Sequence, residues 1–173
     1  MKYQRIILHL RRQWWKMRGA KMGANSFVYK GTEITNPQNF LLAENTILYK
    51  NTTIYMSKEG SFSMGRDSHI APFGYYLIDK NAISFGNHVA IGPFCSFFCH
   101  THTPKGNNEI FSKNYTDASI SIGNNVFIGS HSVILPGTII NDNVVIAANS
   151  VVSGIIEENT LYGGSPAKRI KSL

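Results

Sequence analysis

Apolar residues recur at every sixth position along much of the chain. From Ile122 onward the sequence divides into the blocks IGNNVF, IGSHSV, ILPGTI, INDNVV, IAANSV and VSGIIE, each beginning with Ile or Val. The fifth places of the first five blocks hold small or β-branched residues, namely Val126, Ser132, Thr138, Val144 and Ser150. Helices repeat about every 3.6 residues and half-buried strands about every 2, so neither produces this spacing. The pattern predicts short strands separated by corners.

The same frame continues upstream of these blocks. Its first places hold large apolar side chains in groups of two or three: Met22, Val28, Ile34, Leu42, Leu48, Ile54, Met64, Ile70, Phe85, Ile91 and Phe97. Three strands and three corners close a triangular coil of about eighteen residues, and the first residue of each block is predicted to point into its interior. We therefore expect an all-β fold, a parallel β-helix of about six coils over residues 22–157. Because each coil contacts only its neighbours, both ends need caps.

The first 21 residues lie outside this frame and are strongly basic. They contain seven cations and no acidic residue, and the cations are Lys2, Arg5, Arg11, Arg12, Lys16, Arg18 and Lys21. The segment RIILHLRRQWWKMRG has apolar residues at near-helical spacing, which predicts a short amphipathic helix within residues 1–21. Such a helix either packs on the end of the domain with its cations in solvent or lies on an anionic membrane surface.

The composition is typical of a soluble globular protein. The chain has 173 residues, of which 43% are hydrophobic, and a net charge of +7, so one domain with a real core is expected. No segment approaches the roughly 18 apolar residues of a membrane-spanning helix, which predicts a cytoplasmic protein, with peripheral contact at the inner face of the membrane as a further possibility. The charge is confined to one segment without a nucleic-acid-binding module, so nucleic acid is not an expected partner. Cys95 and Cys99 fit no disulfide framework.

Two features resemble the hexapeptide-repeat acyltransferases, a family of left-handed parallel β-helices. The repeats cover most of residues 22–157, and the ending YGGSPAKRIKSL, within a tail at 158–173, resembles the G-x-P-A-K ending of the sugar O-acetyltransferase branch. The resemblance implies a left-handed helix and a homotrimer with active sites between subunits. It also implies transfer of acetyl from acetyl-CoA to a hydroxyl of a sugar or glycan precursor, with no metal required.

Two histidines, His100 and His102, lie where the six-residue repeat is interrupted, in the stretch FFCHTHTPKGNNEIF. His102 lies eleven residues after Ile91, where similar segments of the family carry a histidine, and the resemblance implies that it is the general base. An imidazole suits the removal of a hydroxyl proton near neutral pH. His100 completes an H-x-H variant of the polysaccharide-modifying branch; it orients His102, binds the acceptor or faces solvent. The polar residues 103–115 predict an extruded loop, which is either part of the site or a plain surface insertion.

The resemblance also implies where the acetyl donor binds. The pantetheine chain of acetyl-CoA is expected along a corner between coils, in contact with Ser130 and Ala148. The nucleotide phosphates are expected near Lys168, Arg169 and Lys171, because basic side chains suit phosphate contacts.

The acceptor side is less defined. Tyr75, Tyr76 and Phe98 offer flat faces for a sugar ring, although aromatic packing at coil corners explains them equally well. Two other classes share the β-helix. A metal-dependent hydratase of the γ-carbonic-anhydrase kind needs three zinc-binding histidines, whose usual spacing is not found here. A non-enzymatic structural β-helix should have regular threonine ladders and neither the loop nor the tail.

Overall fold

Three sheets form the sides of a triangular prism in the computed structural model, which describes residues 2–103 and 110–173. Face 1 contains Lys21–Met22, Phe40–Leu42, Ser61–Met64, Ala82–Phe85, Ile120–Ile122, Ile139–Ile140 and Ile155–Ile156. Face 2 contains Phe27–Val28, Ile47–Leu48, His69–Ile70, Ala90–Ile91, Phe127–Ile128, Val144–Ile146, Thr160–Gly164 and Ala167–Ser172. Face 3 contains Glu33–Ile34, Thr53–Met56, Tyr75–Asp79, Ser96–Phe98, Val133–Ile134 and Val151–Val152.

The chain winds around the prism in the order face 1, face 2, face 3, and each strand pairs in parallel with the strand one coil later. The described residues form six complete coils, followed by one further strand on face 1 and two on face 2. The predicted all-β, left-handed parallel β-helix of about six coils is confirmed. So is the N-terminal helix, which spans Lys2–Met17. No helix in the described ranges is long and apolar enough to cross a membrane.

The first residue of each block points into the prism, as the hexad pattern predicts. These buried side chains are Met22, Val28, Ile34, Leu42, Leu48, Ile54, Met64, Ile70, Phe85, Ile91, Phe97, Ile122, Ile128, Ile134, Ile140, Ile146 and Val152. Tyr76, six residues after Ile70, takes the same inward position and is fully buried. Its ring stacks on Phe97 with centroids 4.8 Å apart, and Phe62 meets it edge-on at 5.8 Å. The middle of the prism is therefore an aromatic core.

Hydroxyl side chains at the fifth place of a block close the corners. Ser132 donates a hydrogen bond to the carbonyl of Gly129, and Ser150 donates one to the carbonyl of Ala147, both at 2.7 Å. Both serines are fully buried, and a buried polar group without a partner costs about 1–3 kcal/mol. The small fifth residue thus fills the corner and satisfies its own polar atom together with a backbone carbonyl.

Both ends of the prism are covered. The N-terminal helix lies on the first coil and buries Trp15 there. At the other end, the tail predicted over residues 158–173 forms an antiparallel hairpin of Thr160–Gly164 and Ala167–Ser172, and its first strand extends face 2. These covers keep the open edges of the terminal coils away from solvent.

Candidate active site

The chain leaves the prism at the corner between face 3 and face 1. Phe85 and Ile122 are neighbours on face 1 although thirty-seven residues separate them, whereas Ile122 and its next neighbour Ile140 are eighteen residues apart. Within this excursion His100–His102 pairs in an antiparallel manner with Tyr115–Asp117. We call these two strands the histidine ribbon. The ribbon gives the two histidines a defined backbone beside the prism.

The excursion differs in detail from the loop predicted for residues 103–115. It departs from the prism at His100, and a 3₁₀ turn at Phe111–Lys113 precedes the returning strand. Residues 104–109 of the predicted loop lie outside the described residues. The two flanks are regular because they pair with each other, a long-range contact that local composition does not reveal.

His100 is held by a carboxylate on the opposite strand of the ribbon. Its Nδ1 lies 2.9 Å from Oδ1 of Asp117. Asn81 donates to the same oxygen at 3.2 Å, and the ammonium group of Lys80 is 3.5 Å from Oδ2. The hydrogen bond with His100, followed by the hydrogen bond from Asn81 and the positive charge of Lys80, holds the pKa of the Asp117 carboxyl below its usual value, so the carboxylate is ionised at neutral pH.

Asp117 is the residue of the candidate site that sequence reasoning missed. It lies fifteen residues after His102, beyond the loop, and only the antiparallel register brings it opposite His100. The available signal was its place in the short stretch before the hexads resume at Ile122. With Nδ1 directed at Asp117, the other ring nitrogen of His100 is left to face a second group.

His102 lies two residues further along the same strand, so both histidines project from the same side of the ribbon. The side chain of His102 is exposed. The ring of Tyr115 packs against both imidazoles, with its centroid 4.6 Å from that of His100 and 4.5 Å from that of His102. Tyr115 is itself fixed, because its hydroxyl donates to the carbonyl of Ser112 at 2.9 Å. The structure therefore brings both predicted catalytic histidines together around one tyrosine.

One group of potential metal ligands occurs among the described residues. Asp79, His100 and Asp117 each offer a ligand atom within 4.8 Å of the others. The carboxylate of Asp117 already contacts His100 and the ammonium group of Lys80, so two of the three members are engaged by a hydrogen bond and an ion pair. The group differs from the three-histidine set that the hydratase alternative needs.

Small residues line the corner between face 2 and face 3. Gly92, Gly129 and Ala147 follow one another on successive coils, and Ser130 and Ala148 form the adjacent column. We call these five residues the small-residue corner. A Cβ atom added at Gly92 would lie 2.6 Å from the nitrogen of Ser130, and one at Gly129 would lie 2.5 Å from that of Ala148. Only glycine fits these two positions. Because no side chain projects there, a thin chain such as pantetheine has room to approach the backbone.

Beside this corner runs a stack of three aromatic rings. Phe94 lies between Phe73 and His131, with centroid separations of 5.0 and 4.8 Å and nearly parallel planes. All three residues have positive φ angles, which side chains of this kind seldom adopt. Other coils place Asn51 and Asn149 in this conformation. The aromatic side chains are therefore not required by the turn itself.

The basic tail residues lie on the outer strand of the C-terminal hairpin. Lys168 is paired with Gly163, which packs against Ala147 of the small-residue corner. Arg169 is 3.5 Å from a carboxylate oxygen of Glu157 and also donates to Ser172. Lys171, like the other two, is exposed. The structure thus places Lys168 at the end of the corner that carries Ser130 and Ala148.

The aromatic residues predicted for the acceptor separate into two groups. The prediction for Tyr76 is wrong, because its side chain has no exposed surface and belongs to the aromatic core. Tyr75 and Phe98 do lie on the outer side of face 3, with ring centroids 6.0 Å apart, and 41% of Tyr75 is exposed. Strand alternation explains the difference, because adjacent residues of one strand point to opposite sides of the sheet.

The histidine ribbon and the small-residue corner lie at opposite edges of face 3. The chain passes the corner at Phe94, crosses the face as Ser96–Phe98 and enters the ribbon at His100. Six residues of extended chain span roughly 20 Å. No side chain bridges that distance, so one subunit does not bring Ser130 and His102 to a common point.

Comparison with known proteins agrees with this architecture. Residues 119–154 match the family described as bacterial transferase hexapeptide (six repeats). Galactoside O-acetyltransferase of Escherichia coli strain K12 is 34% identical over 124 residues, 69% of this chain and 58% of that protein. The putative lipopolysaccharide biosynthesis O-acetyl transferase WbbJ of the same strain is 36% identical over 121 residues, 70% of this chain and 55% of that protein. The match thus spans somewhat more than half the length of these relatives.

A solved structure is similar to this chain in its three-dimensional fold as well. A galactoside acetyltransferase in complex with coenzyme A has a TM-score of 0.66 and 28% identity, covering 83% of this chain and 65% of that chain. The prism, its hexads and the extruded ribbon together define a β-helix of the hexapeptide-repeat class. The chain belongs to the hexapeptide-repeat acyltransferase family.

Proposed function

We propose that the protein is an acetyl-CoA-dependent O-acetyltransferase that modifies a hydroxyl of a sugar or glycan precursor in the cytoplasm. One relative is named as a galactoside O-acetyltransferase and another as a putative lipopolysaccharide biosynthesis O-acetyl transferase, which supports this class of reaction. The observation that carries the proposal is the presence of two half-sites on one β-helix. One is the ribbon with His102, and the other is the small-residue corner that leads to Lys168.

His102 is the general base of the proposed reaction. It takes the proton of the acceptor hydroxyl while the oxygen attacks the thioester carbonyl, and the proton then passes to the sulfur as the C–S bond breaks. General base catalysis of this kind contributes roughly 10²- to 10⁴-fold. The chemistry needs no metal, because the thioester is already reactive and the imidazole supplies the base.

His100 and Asp117 keep the ribbon in register for this step. The carboxylate of Asp117 orients His100 through Nδ1, and both histidines pack on Tyr115. Tyr75 and Phe98, on the outer side of face 3 next to the ribbon, are the proposed contacts for the sugar ring. A sugar presents C–H groups on one side of its ring, and these pack well on an aromatic face.

The proposed enzyme is a homotrimer whose sites lie between subunits. The support comes from the roughly 20 Å of extended chain between the ribbon and the small-residue corner of one subunit. A second subunit can place its corner, with Ser130 and Ala148, against the ribbon of the first. The thioester and His102 then meet across the interface.

The function is tested with purified protein, acetyl-CoA and a panel of saccharides. We expect release of free CoA that depends on the saccharide, and a product whose mass has increased by one acetyl group. The same protein supplied with zinc is assayed for CO₂ hydration. Hydration without acceptor-dependent CoA release would overturn the proposal in favour of the hydratase class.

A further inference from the structure

The inner face of the N-terminal helix is a cap for the first coil. Trp15 is buried beneath the helix. Arg11 donates to the carbonyls of Val28 and Tyr29 at 3.2 and 3.0 Å, and Arg12 donates to that of Gly23 at 2.8 Å. These carbonyls belong to the first coil and have no preceding coil to bond with. Contacts with the first coil therefore account for two of the seven cations of residues 1–21, Arg11 and Arg12, and for one of the two tryptophans, Trp15.

Packing on the first coil does not account for the apolar side chains on the outer face of the same helix. Its large apolar side chains project away from the prism, and they are Ile6, Ile7, Leu10, Trp14 and Met17. At 100° per residue they fall within one stripe of about 100° that runs along most of the helix. Leu10 is 65% and Met17 is 80% exposed. A cap of a repeat protein normally has a polar outer face, so this apolar stripe indicates a partner.

Positive charge lies at one margin of the stripe. Arg18, just after the helix, is exposed there, with its guanidinium carbon 4.7 Å from the centre of the Trp14 ring. Arg5 and Lys16 are exposed on the flank of the helix, roughly 80–100° beyond the opposite margin. The helix contains no acidic residue. Glu33 and Glu44, the first acidic residues of the chain, lie on the sides of the first and second coils. An apolar stripe with a cation at its margin, on a helix without carboxylates, is complementary to the acyl chains and phosphates of an anionic bilayer surface.

We propose that this helix docks the protein on an anionic lipid membrane. The helix lies in the plane of the interface, with Leu10 and Met17 among the acyl chains, Trp14 at the headgroup level and Arg18 on a lipid phosphate. This inference is independent of the proposed reaction. In a homotrimer, three such helices lie at the same level along the threefold axis, so docking becomes multivalent.

The test is co-sedimentation of the full-length protein with vesicles. We expect binding to phosphatidylcholine vesicles that contain phosphatidylglycerol, weak binding to phosphatidylcholine alone, and loss of binding as the salt concentration rises. Leu10→Ser should weaken binding roughly tenfold. Arg18→Ser should weaken it about fivefold, the effect of one cation near an anionic surface.

Matched controls separate the stripe from the general surface. Ile155→Ser removes an apolar side chain that is 69% exposed on face 1, and Lys58→Ser removes an exposed cation near the same face. Neither should change vesicle binding. Binding that these controls reduce equally, or that is absent from anionic vesicles, would overturn the proposal. So would a change in the sedimentation coefficient of Leu10→Ser without lipid, because it would assign the stripe to a second copy of the chain.

Discussion

The small-residue corner and the histidine ribbon border the same face of the prism but are built in different ways. Gly129 and Ser130 hold fixed places in the hexad frame, and the next coil repeats those places as Ala147 and Ala148. The ribbon lies outside the frame and depends on antiparallel pairing and on the contact between His100 and Asp117. A repeat thus specifies the proposed donor surface on the scaffold, while the proposed catalytic ribbon, which leaves the scaffold, needs its own local contacts.

The largest expected effect separates the two histidines of the ribbon. His102→Ala should lower kcat for CoA release by roughly 10²- to 10⁴-fold, because the general base is lost. His100→Ala should lower it only about tenfold, since the imidazole of His102 keeps its backbone position. The measurement is acceptor-dependent CoA release at saturating acetyl-CoA.

Two controls accompany these variants. Acetyl-CoA affinity, measured by calorimetry, should be nearly unchanged in both, because the proposed contacts of the pantetheine chain and the phosphates are made by the small-residue corner and the tail. Circular dichroism should show the same β-sheet signal as the unmodified protein. If His100→Ala is impaired by 10²-fold or more and His102→Ala only about tenfold, the roles of the two histidines are reversed.

The next expected effect tests the hexad frame through two adjacent residues. Tyr76→Ala should lower the free energy of unfolding by about 3–5 kcal/mol, as expected for removing a fully buried aromatic ring. Tyr75→Ala should cost about 1 kcal/mol or less, since its side chain is half-exposed. Denaturant unfolding measures both. Equal losses would contradict the inward position of Tyr76.

A more conservative substitution sharpens the same point. The hydroxyl of Tyr76 is buried and has no hydrogen-bond partner among the described residues. Tyr76→Phe removes an unsatisfied polar group and keeps the ring stacked on Phe97, so it should be neutral or slightly stabilising. A loss of more than about 1 kcal/mol would indicate a partner for that hydroxyl.

Blocking the small-residue corner tests the other half-site. Ser130→Trp places a bulky ring where the pantetheine chain is proposed to run, and we expect kcat/KM for acetyl-CoA to fall by about 10²-fold. Mixed assemblies of Ser130→Trp and His102→Ala chains should recover activity, because some interfaces then combine an intact corner with an intact histidine. Co-expression with two affinity tags isolates these mixed assemblies.

The matched control for the mixing experiment carries both changes in one chain. Assemblies of the double variant with His102→Ala chains have no intact histidine and should stay inactive. If the mixture of single variants also stays inactive although mixed trimers form, each site uses Ser130 and His102 of one subunit. The proposed placement of sites between subunits would then be wrong.

The frame explains how much of this molecule could be predicted from its sequence. Ile91 and Phe97 were predicted as inward residues because a six-residue period needs no knowledge of distant contacts. Tyr76 continues the same count from Ile70, so its core position could be found by extending the frame one block. Asp117 could not be found in this way, because antiparallel pairing across an excursion depends on a register that local residue types leave open.

The smallest expected loss of activity, equal to that of His100→Ala, probes the contact between Asp117 and His100. Because the pKa of Asp117 is lowered by its hydrogen bond with His100, the contact stabilises the ribbon at neutral pH. It is lost only as the pH falls through that lowered pKa, below the ordinary value of 3.8. The contact is thus constant from about pH 5 upward, and Asp117→Asn should lower kcat by about the same factor, roughly tenfold, across that range.

The pH dependence of kcat distinguishes positioning from direct participation. If His102 is the base, the acidic limb of the profile keeps its midpoint in Asp117→Asn, because the carboxylate contacts His100 rather than His102. If His100 is the base, removing the opposite charge beside it shifts that midpoint to lower pH. Asp117→Glu is the matched variant, since it keeps the charge and should recover part of the lost rate. A shifted midpoint in Asp117→Asn that Asp117→Glu restores would transfer the catalytic role to His100.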